Sequence, residues 1–169
     1  MYSLIKTDRL LLRPIVDSDI NNIFAGLSDP KVVQHYAVSF GSLEATKEQM
    51  TWYAEDEQMW WAICSLDNQT FYGAGGLNDI SNDKGKAEIG IWLLPKYWGQ
   101  GIMKEALPLI TDFGLKELGL NRIEGFVESD NVNCKNALSK LDFHLEKTIE
   151  NFEIKNGKSI SVDVYAKCR

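Results

Sequence analysis

The sequence has few of the features that mark membrane, secreted or nucleic-acid-binding proteins. No run approaches the ~20 consecutive apolar residues of a membrane span, and the N-terminus lacks the basic start and long apolar stretch of a signal peptide. Three widely spaced cysteines without metal-like pairing favour free thiols in a reducing cytoplasm. A net charge of −6 argues against general nucleic-acid binding and mildly favours a cationic partner. We therefore expect a cytoplasmic protein with no metal, no membrane association and no direct contact with nucleic acid.

The remaining composition is that of one globular domain. A chain of 169 residues with 44% hydrophobic and 25% charged residues is long enough to bury a sizeable core, and we expect a single domain over residues 1–169. Alternating and helical hydrophobic patterns predict the element order β-α-α-β-β-β-α-β-α-β-β. This order indicates a mixed sheet with flanking helices, which is an α+β fold.

Residues 87–106 form the most informative stretch, because they predict a buried strand, a two-glycine loop and the start of a helix. Apolar side chains alternate along the strand and fill both of its faces, and Pro95 ends the strand because proline has no N–H to donate. Gly99 and Gly101 remove side chains where the first free N–H groups of the helix point outward. A helix N-terminus with bare backbone is suited to binding phosphate.

Three kinds of phosphate loop compete for this stretch. A P-loop ends in Gly-Lys-Ser/Thr, whereas residues 99–103 read Gly-Gln-Gly-Ile-Met, so a P-loop is excluded. A dinucleotide fingerprint needs three glycines after an early strand, and here there are two in the middle of the chain. The third kind is the acetyl-CoA loop of the GNAT N-acetyltransferases, Gln/Arg-x-x-Gly-x-Gly/Ala after a bulged strand, which this stretch resembles. An ordinary strand–turn–helix without a ligand is the remaining alternative.

The resemblance is carried by three sets of residues. In the loop, Trp98 takes the Gln/Arg position, Gly101 the central glycine and Met103 the position of the final small residue. The run Trp-Gly-Gln-Gly-Ile-Met-x-Glu-Ala resembles the RimJ/RimL branch, whose members acetylate N-terminal α-amines of ribosomal proteins. The opening Thr-Asp-Arg-Leu-x-Leu-Arg-Pro over residues 7–14 is also typical of that branch.

The third set follows the next predicted strand. Members of the branch carry Asn-x-Ala-Ser and then Lys-x-Gly-Phe at this spacing. The chain keeps the first Asn, the Lys and the Phe, and it departs from the pattern at Asn133, Cys134 and Asp142, which replace Ala, Ser and Gly. The three sets occur in family order and together cover essentially the whole chain.

The resemblance implies the GNAT acyl-CoA N-acyltransferase fold, a mixed and mostly antiparallel sheet of about seven strands flanked by four helices. It also implies acetyl-CoA as the cosubstrate and no metal. The cofactor-binding positions that it implies are Trp92, Leu93, Leu94, Trp98, Gly99, Gln100, Gly101, Ile102, Met103, Asn131, Asn136 and Lys140. For Asn131 a helix N-cap, and for Lys140 a solvated helix position, are the structural alternatives.

The family reaction requires a donor for the oxygen of the thioester, on which charge develops. The resemblance suggests a backbone N–H near Trp92 or Leu93 in the bulged strand. A splay at the end of that strand would let pantetheine form hydrogen bonds with the strand backbone, as an additional β-strand would. A regular strand without a bulge is the alternative.

The attacking amine must also lose a proton, and Glu88 is the candidate base because family members often use an acidic residue at this strand start. A structural or solvent-facing Glu is an equally strong interpretation. At pH 7 about 10% of an α-amine with pKa ~8 is neutral, against about 0.04% of a lysine amine with pKa ~10.4. An α-amine can therefore be deprotonated by a weaker base than a lysine amine requires.

The remaining candidates are Cys134, His35 and Tyr36. Cys134 stands where the family's Ser can give a proton to the departing thiolate, and a small packing residue is the alternative. His35 and Tyr36 are candidates for the acceptor site, although a loop His is more often a surface group. The aromatic pairs at residues 52–53 and 60–61 are expected in the core or in a homodimer contact.

These observations together predict acetyl transfer from acetyl-CoA to a primary amine by direct attack in a ternary complex. The first expectation for the acceptor is the N-terminal α-amine of a protein, and the second is a small amine of the polyamine or aminoglycoside type. A non-catalytic acyl-CoA-binding module is the alternative from another class.

Overall fold

A computed structural model describes residues 3–36 and 38–169. The strands and α-helices, in chain order, are β1 (Ile5–Lys6), β2 (Leu10–Pro14), α1 (Ile20–Leu27), α2 (Pro30–Val33), α3 (Leu43–Tyr53), β3 (Met59–Ser65), β4 (Phe71–Ser81), β5 (Lys86–Leu93), α4 (Ile102–Asp112), β6 (Arg122–Glu128), α5 (Val132–Lys140), β7 (His144–Lys155) and β8 (Lys158–Cys168). No helix in these two ranges is long and apolar enough to cross a membrane.

The eight strands form one sheet in the order β1-β2-β3-β4-β5-β6-β8-β7, antiparallel except between β5 and β6. The predicted α+β class and mostly antiparallel sheet are confirmed. The described residues contain one strand and one α-helix more than expected, namely β1 and α2. Both are too short to show a hydrophobic period, since β1 pairs with β2 over two residues and α2 is a single turn capped by Asp29.

Helices cover both faces of the sheet and enclose two apolar clusters. One cluster lies between the sheet and α4, and the other between the sheet and α1 to α3. Trp61 belongs to the first and Trp60 to the second, because adjacent strand residues point to opposite faces. Both indoles are buried, so this aromatic pair lies in the core.

The central feature of the sheet is the divergence of β5 and β6, which pair in parallel. β5 and β6 pair only from Lys86 with Arg122 to Glu88 with Glu124. Beyond Glu88, β5 continues beside β4 and β6 continues beside β8. The two strands therefore open a wedge, which matches the splay expected at this strand end.

The helix after the glycine loop continues almost to Gly119. α4 contains Pro108 and continues as a π-helical segment, Phe113–Glu117, after which Gly119 adopts a left-handed φ of 67°. The inner face of α4 packs on the sheet and fixes where the helix begins relative to the wedge.

Candidate active site

Two cavities meet at the wedge between β5 and β6. The first, the glycine-loop cavity, has a volume of about 740 Å³ and is lined by β5, the start of α4, the end of β6 and α5. The second, the α3-side cavity, has a volume of about 790 Å³ and extends to α3 and to the β7–β8 hairpin. Six residues line both cavities: His35, Tyr36, Ile89, Gly90, Phe126 and Glu128. Two molecules bound in these cavities would therefore meet at the wedge.

The glycine loop forms one end of the first cavity. Gly99 and Gly101 have left-handed φ values of 75° and 76°, a conformation that favours glycine. Gly101 is the N-cap of α4 without a side-chain cap, so the first N–H groups of the helix are left for a ligand. The indole N–H of Trp98 donates to the carbonyl oxygen of Leu93 at 2.9 Å and ties the loop to the end of β5.

The structure gathers most of the predicted cofactor-binding residues. Those that line the glycine-loop cavity are Trp92, Leu93, Trp98, Gly99, Gly101, Ile102, Met103 and Asn131. Those that do not are Leu94, Gln100, Asn136 and Lys140. Asn136 and Lys140 are exposed on α5, whereas Cys134, Ala137 and Leu138 of the same helix face the cavity.

Beyond Glu88, β5 pairs with β4 on one side only, and its backbone on the other side is an unpaired edge. Its register with β4 is regular from Gly73 opposite Leu93 to Asn78 opposite Glu88, so the bulge expected near Trp92 is absent from this pairing. The N–H of Leu94 donates to the Tyr72 carbonyl oxygen at 2.8 Å.

Because antiparallel strands bond through alternate residues, Trp92 also directs its N–H to β4. Ile91 and Leu93 face the opposite edge, where β6 has departed. Of the two candidate donors for the thioester oxygen, the alternation therefore selects the N–H of Leu93.

The two cavities differ in charge, because lysines and carboxylates are balanced in one and carboxylates prevail in the other. Lys31 and Lys104 line the glycine-loop cavity, together with acidic groups at the end of β6 and in the loop that follows. The described residues that line the α3-side cavity include no Lys or Arg, and their carboxylates are Glu48, Glu88, Glu128 and Glu153. The uncapped start of α4 with the two lysines favours an anionic ligand at the glycine loop, and the carboxylates favour a cationic ligand beside α3.

Glu88 lies in the α3-side cavity at the point where β5 and β6 separate. Its carboxylate is half-buried and accepts a hydrogen bond from Asn78 Nδ2 at 3.2 Å. Burial, followed by the nearby Asp79 carboxylate, raises the pKa of Glu88 above its ordinary value. A carboxylate with a raised pKa beside an open wedge is suited to accept a proton.

Cys134 lines the glycine-loop cavity near the start of α5. Burial raises the pKa of its thiol to about 11, so the group is a neutral thiol at physiological pH. Transfer of its proton to a thiolate with a pKa of ~8.5 would be uphill. Asn131 accepts a hydrogen bond from the Cys134 N–H at 3.3 Å and is the N-cap of α5, as its structural alternative stated.

His35 and Tyr36 lie between the cavities, and their segment is held by residues that the sequence analysis missed. His35 Nδ1 lies 2.8 Å from Glu128 Oε2 at the end of β6. Lys155 Nζ donates to the Glu128 carboxylate at 3.0 Å and to the carbonyl oxygens of Gln34 and Tyr36 at 2.8 and 3.2 Å. The Lys155 ammonium thus clamps this segment onto the sheet.

Comparison with known proteins places this geometry in a family. A family model described as an acetyltransferase (GNAT) domain matches residues 9–144. The chain is 28% identical to the uncharacterized N-acetyltransferase YoaA of Bacillus subtilis strain 168, over 98% of this chain and 97% of that protein.

Solved structures show the same fold. The spermidine N-acetyltransferase of Vibrio cholerae, in complex with CoA and spermine, superposes with a TM-score of 0.88 at 16% identity over 96% of both chains. The ribosomal-protein-S5-alanine acetyltransferase of Vibrio fischeri gives 0.84 at 16% identity over 99% of this chain and 97% of the other. With the family match across most of its length, the chain belongs to the GNAT family of acetyl-CoA-dependent N-acetyltransferases.

Proposed function

We propose that this enzyme acetylates the N-terminal α-amine of a protein by direct attack in a ternary complex. The observation that carries the proposal is the meeting of two cavities at the β5–β6 wedge, one with an uncapped helix start and the other rich in carboxylates, with Glu88 on the acceptor side. In this arrangement an amine in the α3-side cavity reaches a thioester in the glycine-loop cavity without a covalent enzyme intermediate.

The residues of the glycine-loop cavity fit acetyl-CoA. The bare start of α4 and the ammonium groups of Lys31 and Lys104 suit the anionic phosphates, and the unpaired edge of β5 suits the amides of pantetheine. Bound acetyl-CoA supplies the acetyl group. The N–H of Leu93 then donates to the thioester oxygen as charge develops on it.

Glu88 serves as the base for the amine. A C–N bond forms at the thioester carbon, the C–S bond breaks, the CoA thiolate leaves, and the amine proton passes to Glu88 directly or through one water molecule. Cys134 remains a thiol that shapes the cavity. We also propose a cytoplasmic location, since all three cysteines are free thiols.

Three observations support an α-amine acceptor. A single carboxylate is a weak base, and an α-amine is neutral far more often than a lysine or polyamine amine. The α3-side cavity has aromatic walls, among them Phe40, Trp52 and Phe152, which suit the first side chains of a peptide. The sequence also resembles the RimJ/RimL branch over residues 7–14 and in the glycine loop.

A small polyamine is the second candidate, because Glu48 and Glu153 add two exposed carboxylates to the cavity that holds Glu88. A cation with several ammonium groups would pair with more than one of them.

The test is acetyl-CoA-dependent thiol release with a panel of amines. The panel holds ribosomal-type N-terminal peptides, the same peptides with blocked N-termini and free lysines, polyamines and aminoglycosides. We expect turnover with the free N-terminal peptides and none with the blocked ones. Turnover with polyamines alone would overturn the α-amine proposal in favour of the second candidate. Binding of acetyl-CoA without turnover on any amine would contradict both.

A further inference from the structure

The glycine loop is held from outside by the N-terminal segment of the chain. Arg9 Nη1 donates to the carbonyl oxygen of Gln100 at 2.8 Å, across 91 positions of sequence. Arg9 Nε donates to Glu105 Oε2 at 2.6 Å, and the Thr7 hydroxyl donates to the other oxygen of the same carboxylate. One guanidinium therefore bonds both to the loop and to the first turns of α4.

The bond to Gln100 sets the direction of a neighbouring N–H. In a planar trans peptide the C=O of Gln100 and the N–H of Gly101 point in opposite directions. Gly99 and Gly101 line the glycine-loop cavity, whereas Gln100 does not. When the Gln100 carbonyl is held by Arg9 outside the cavity, the Gly101 N–H is turned toward the cavity.

Such a restraint matters because glycine does not hold one conformation. Gly99 and Gly101 both adopt left-handed φ values, and an unrestrained glycine populates positive and negative φ about equally. Gly101 also leaves room for the guanidinium, since a Cβ there would lie 3.2 Å from Arg9 Nη2. The loop and Arg9 are therefore matched in shape as well as in hydrogen bonding.

We propose that Arg9 is a positioning residue that fixes the Gln100–Gly101 peptide for binding of the CoA pyrophosphate. The inference rests on the proposed use of the glycine loop for that group. Arg9 acts through the backbone of the loop and makes no contact with the reacting atoms.

The geometry requires arginine rather than any cation. The planar guanidinium presents its Nε and Nη1 donors at fixed positions, which lets it bond Gln100 and Glu105 together. A lysine at the same position would keep the positive charge without the fork.

The test compares two ligands and three proteins by isothermal titration calorimetry. CoA carries the pyrophosphate and pantetheine lacks it. We expect Arg9→Ala and Arg9→Lys to raise the Kd of CoA about tenfold, which corresponds to the loss of the charge-assisted hydrogen bond from the Gly101 N–H to the pyrophosphate. The Kd of pantetheine should change less than about twofold. Thermal melting of each variant verifies folding. If Arg9→Ala does not fold, the comparison is made with Arg9→Lys alone.

Three results would contradict the proposed role of Arg9, each for a different reason. If Arg9→Lys binds CoA as the unaltered protein does, Arg9 acts only through its charge and the positioning role is wrong. If both variants weaken pantetheine as much as CoA, the effect is a general loss of structure and the inference is overturned. If the unaltered protein binds CoA no better than pantetheine, the use of the loop for pyrophosphate fails, and the role of Arg9 fails with it.

Discussion

The two cavities differ in how the chain builds them. The glycine-loop cavity comes mainly from two continuous stretches, residues 89–107 and 125–138, in which a strand leads directly into a loop and helix. The α3-side cavity draws single residues from segments as distant as residues 35–40, 78–90 and 152–162. A site built mainly from two continuous stretches can be recognised in the sequence, whereas a site built from many scattered segments cannot.

A second comparison concerns the backbone segments beside the cavities and the charged side chains that hold them. Arg9 bonds to a carbonyl of the glycine loop, and Lys155 bonds to two carbonyls of the segment that carries His35, which borders both cavities. Each clamp is a charged side chain that reaches across the fold to backbone oxygens. The comparison predicts that loss of either clamp weakens binding mainly in one cavity, with a smaller effect on the other through the residues that line both.

The largest expected effect is that of Glu88→Gln, which removes the proposed base from the α3-side cavity. We expect kcat to fall about 100-fold or more while the Kd of CoA stays within twofold. In the unaltered enzyme the rate falls as pH drops through the raised pKa of Glu88, because only the carboxylate accepts a proton. In the variant the rate depends on amine that is already neutral, so its pH profile moves to higher pH.

The matched control for this variant is Glu48→Gln, which removes an exposed carboxylate from the same cavity. We expect it to change KM for a cationic acceptor and to leave the pH profile in place. If Glu88→Gln keeps the profile of the unaltered enzyme, Glu88 has no part in the mechanism.

A smaller effect is expected for Lys155→Ala, which breaks the clamp on the segment that carries His35. The change leaves the Glu128 carboxylate without its ammonium and frees the carbonyl oxygens of Gln34 and Tyr36. We expect KM for the amine to rise about tenfold and the free energy of unfolding to fall by about 1–3 kcal/mol. The Kd of CoA should rise less than KM for the amine, because the same segment also borders the glycine-loop cavity.

Lys158→Ala is the control for the clamp, because Lys158 is exposed and only approaches Asp130 at 3.7 Å. Urea unfolding and steady-state kinetics of both variants measure the difference. Equal effects of the two substitutions, or a larger loss in CoA binding than in amine binding, would break the distinction between the cavities.

The smallest expected effect is that of Cys134→Ala. A thiol with a pKa raised to about 11 donates its proton reluctantly, so we expect kcat/KM to change less than threefold between pH 6 and 9. Steady-state rates across this range measure it. A loss of 100-fold would instead identify Cys134 as the acid for the leaving thiolate.

Particular residues show where sequence reasoning succeeded. The glycine loop and the capped start of α5 were predicted because they depend on local requirements: glycines where φ is left-handed, and Asn131 where a helix begins. The alternation of Ile89, Ile91 and Leu93 likewise follows from strand geometry and matches their packing toward α4.

Other residues show why some features of the site could not be predicted from the sequence. The predicted bulge in β5 depended on a family pattern, and the regular pairing with β4 makes it unnecessary for opening the wedge. Asn136 and Lys140 were included through the family resemblance, and the orientation of α5 leaves both exposed and outside the lining of the glycine-loop cavity. Lys104 and Glu128 carry no local signal, because a charge marks a site only when the fold places it beside a cavity.

The sequence by itself determined the family, the α+β fold and the two-glycine loop before α4, because each depends on short-range patterns of apolar residues, glycines and caps. The tertiary structure alone decided which edge of β5 is free, which charges face each cavity and which side chains hold the two binding segments. The physical reason is separation along the chain. The contacts of Arg9 and Lys155 join residues 91 and about 120 positions apart, and no local pattern specifies a partner at that distance.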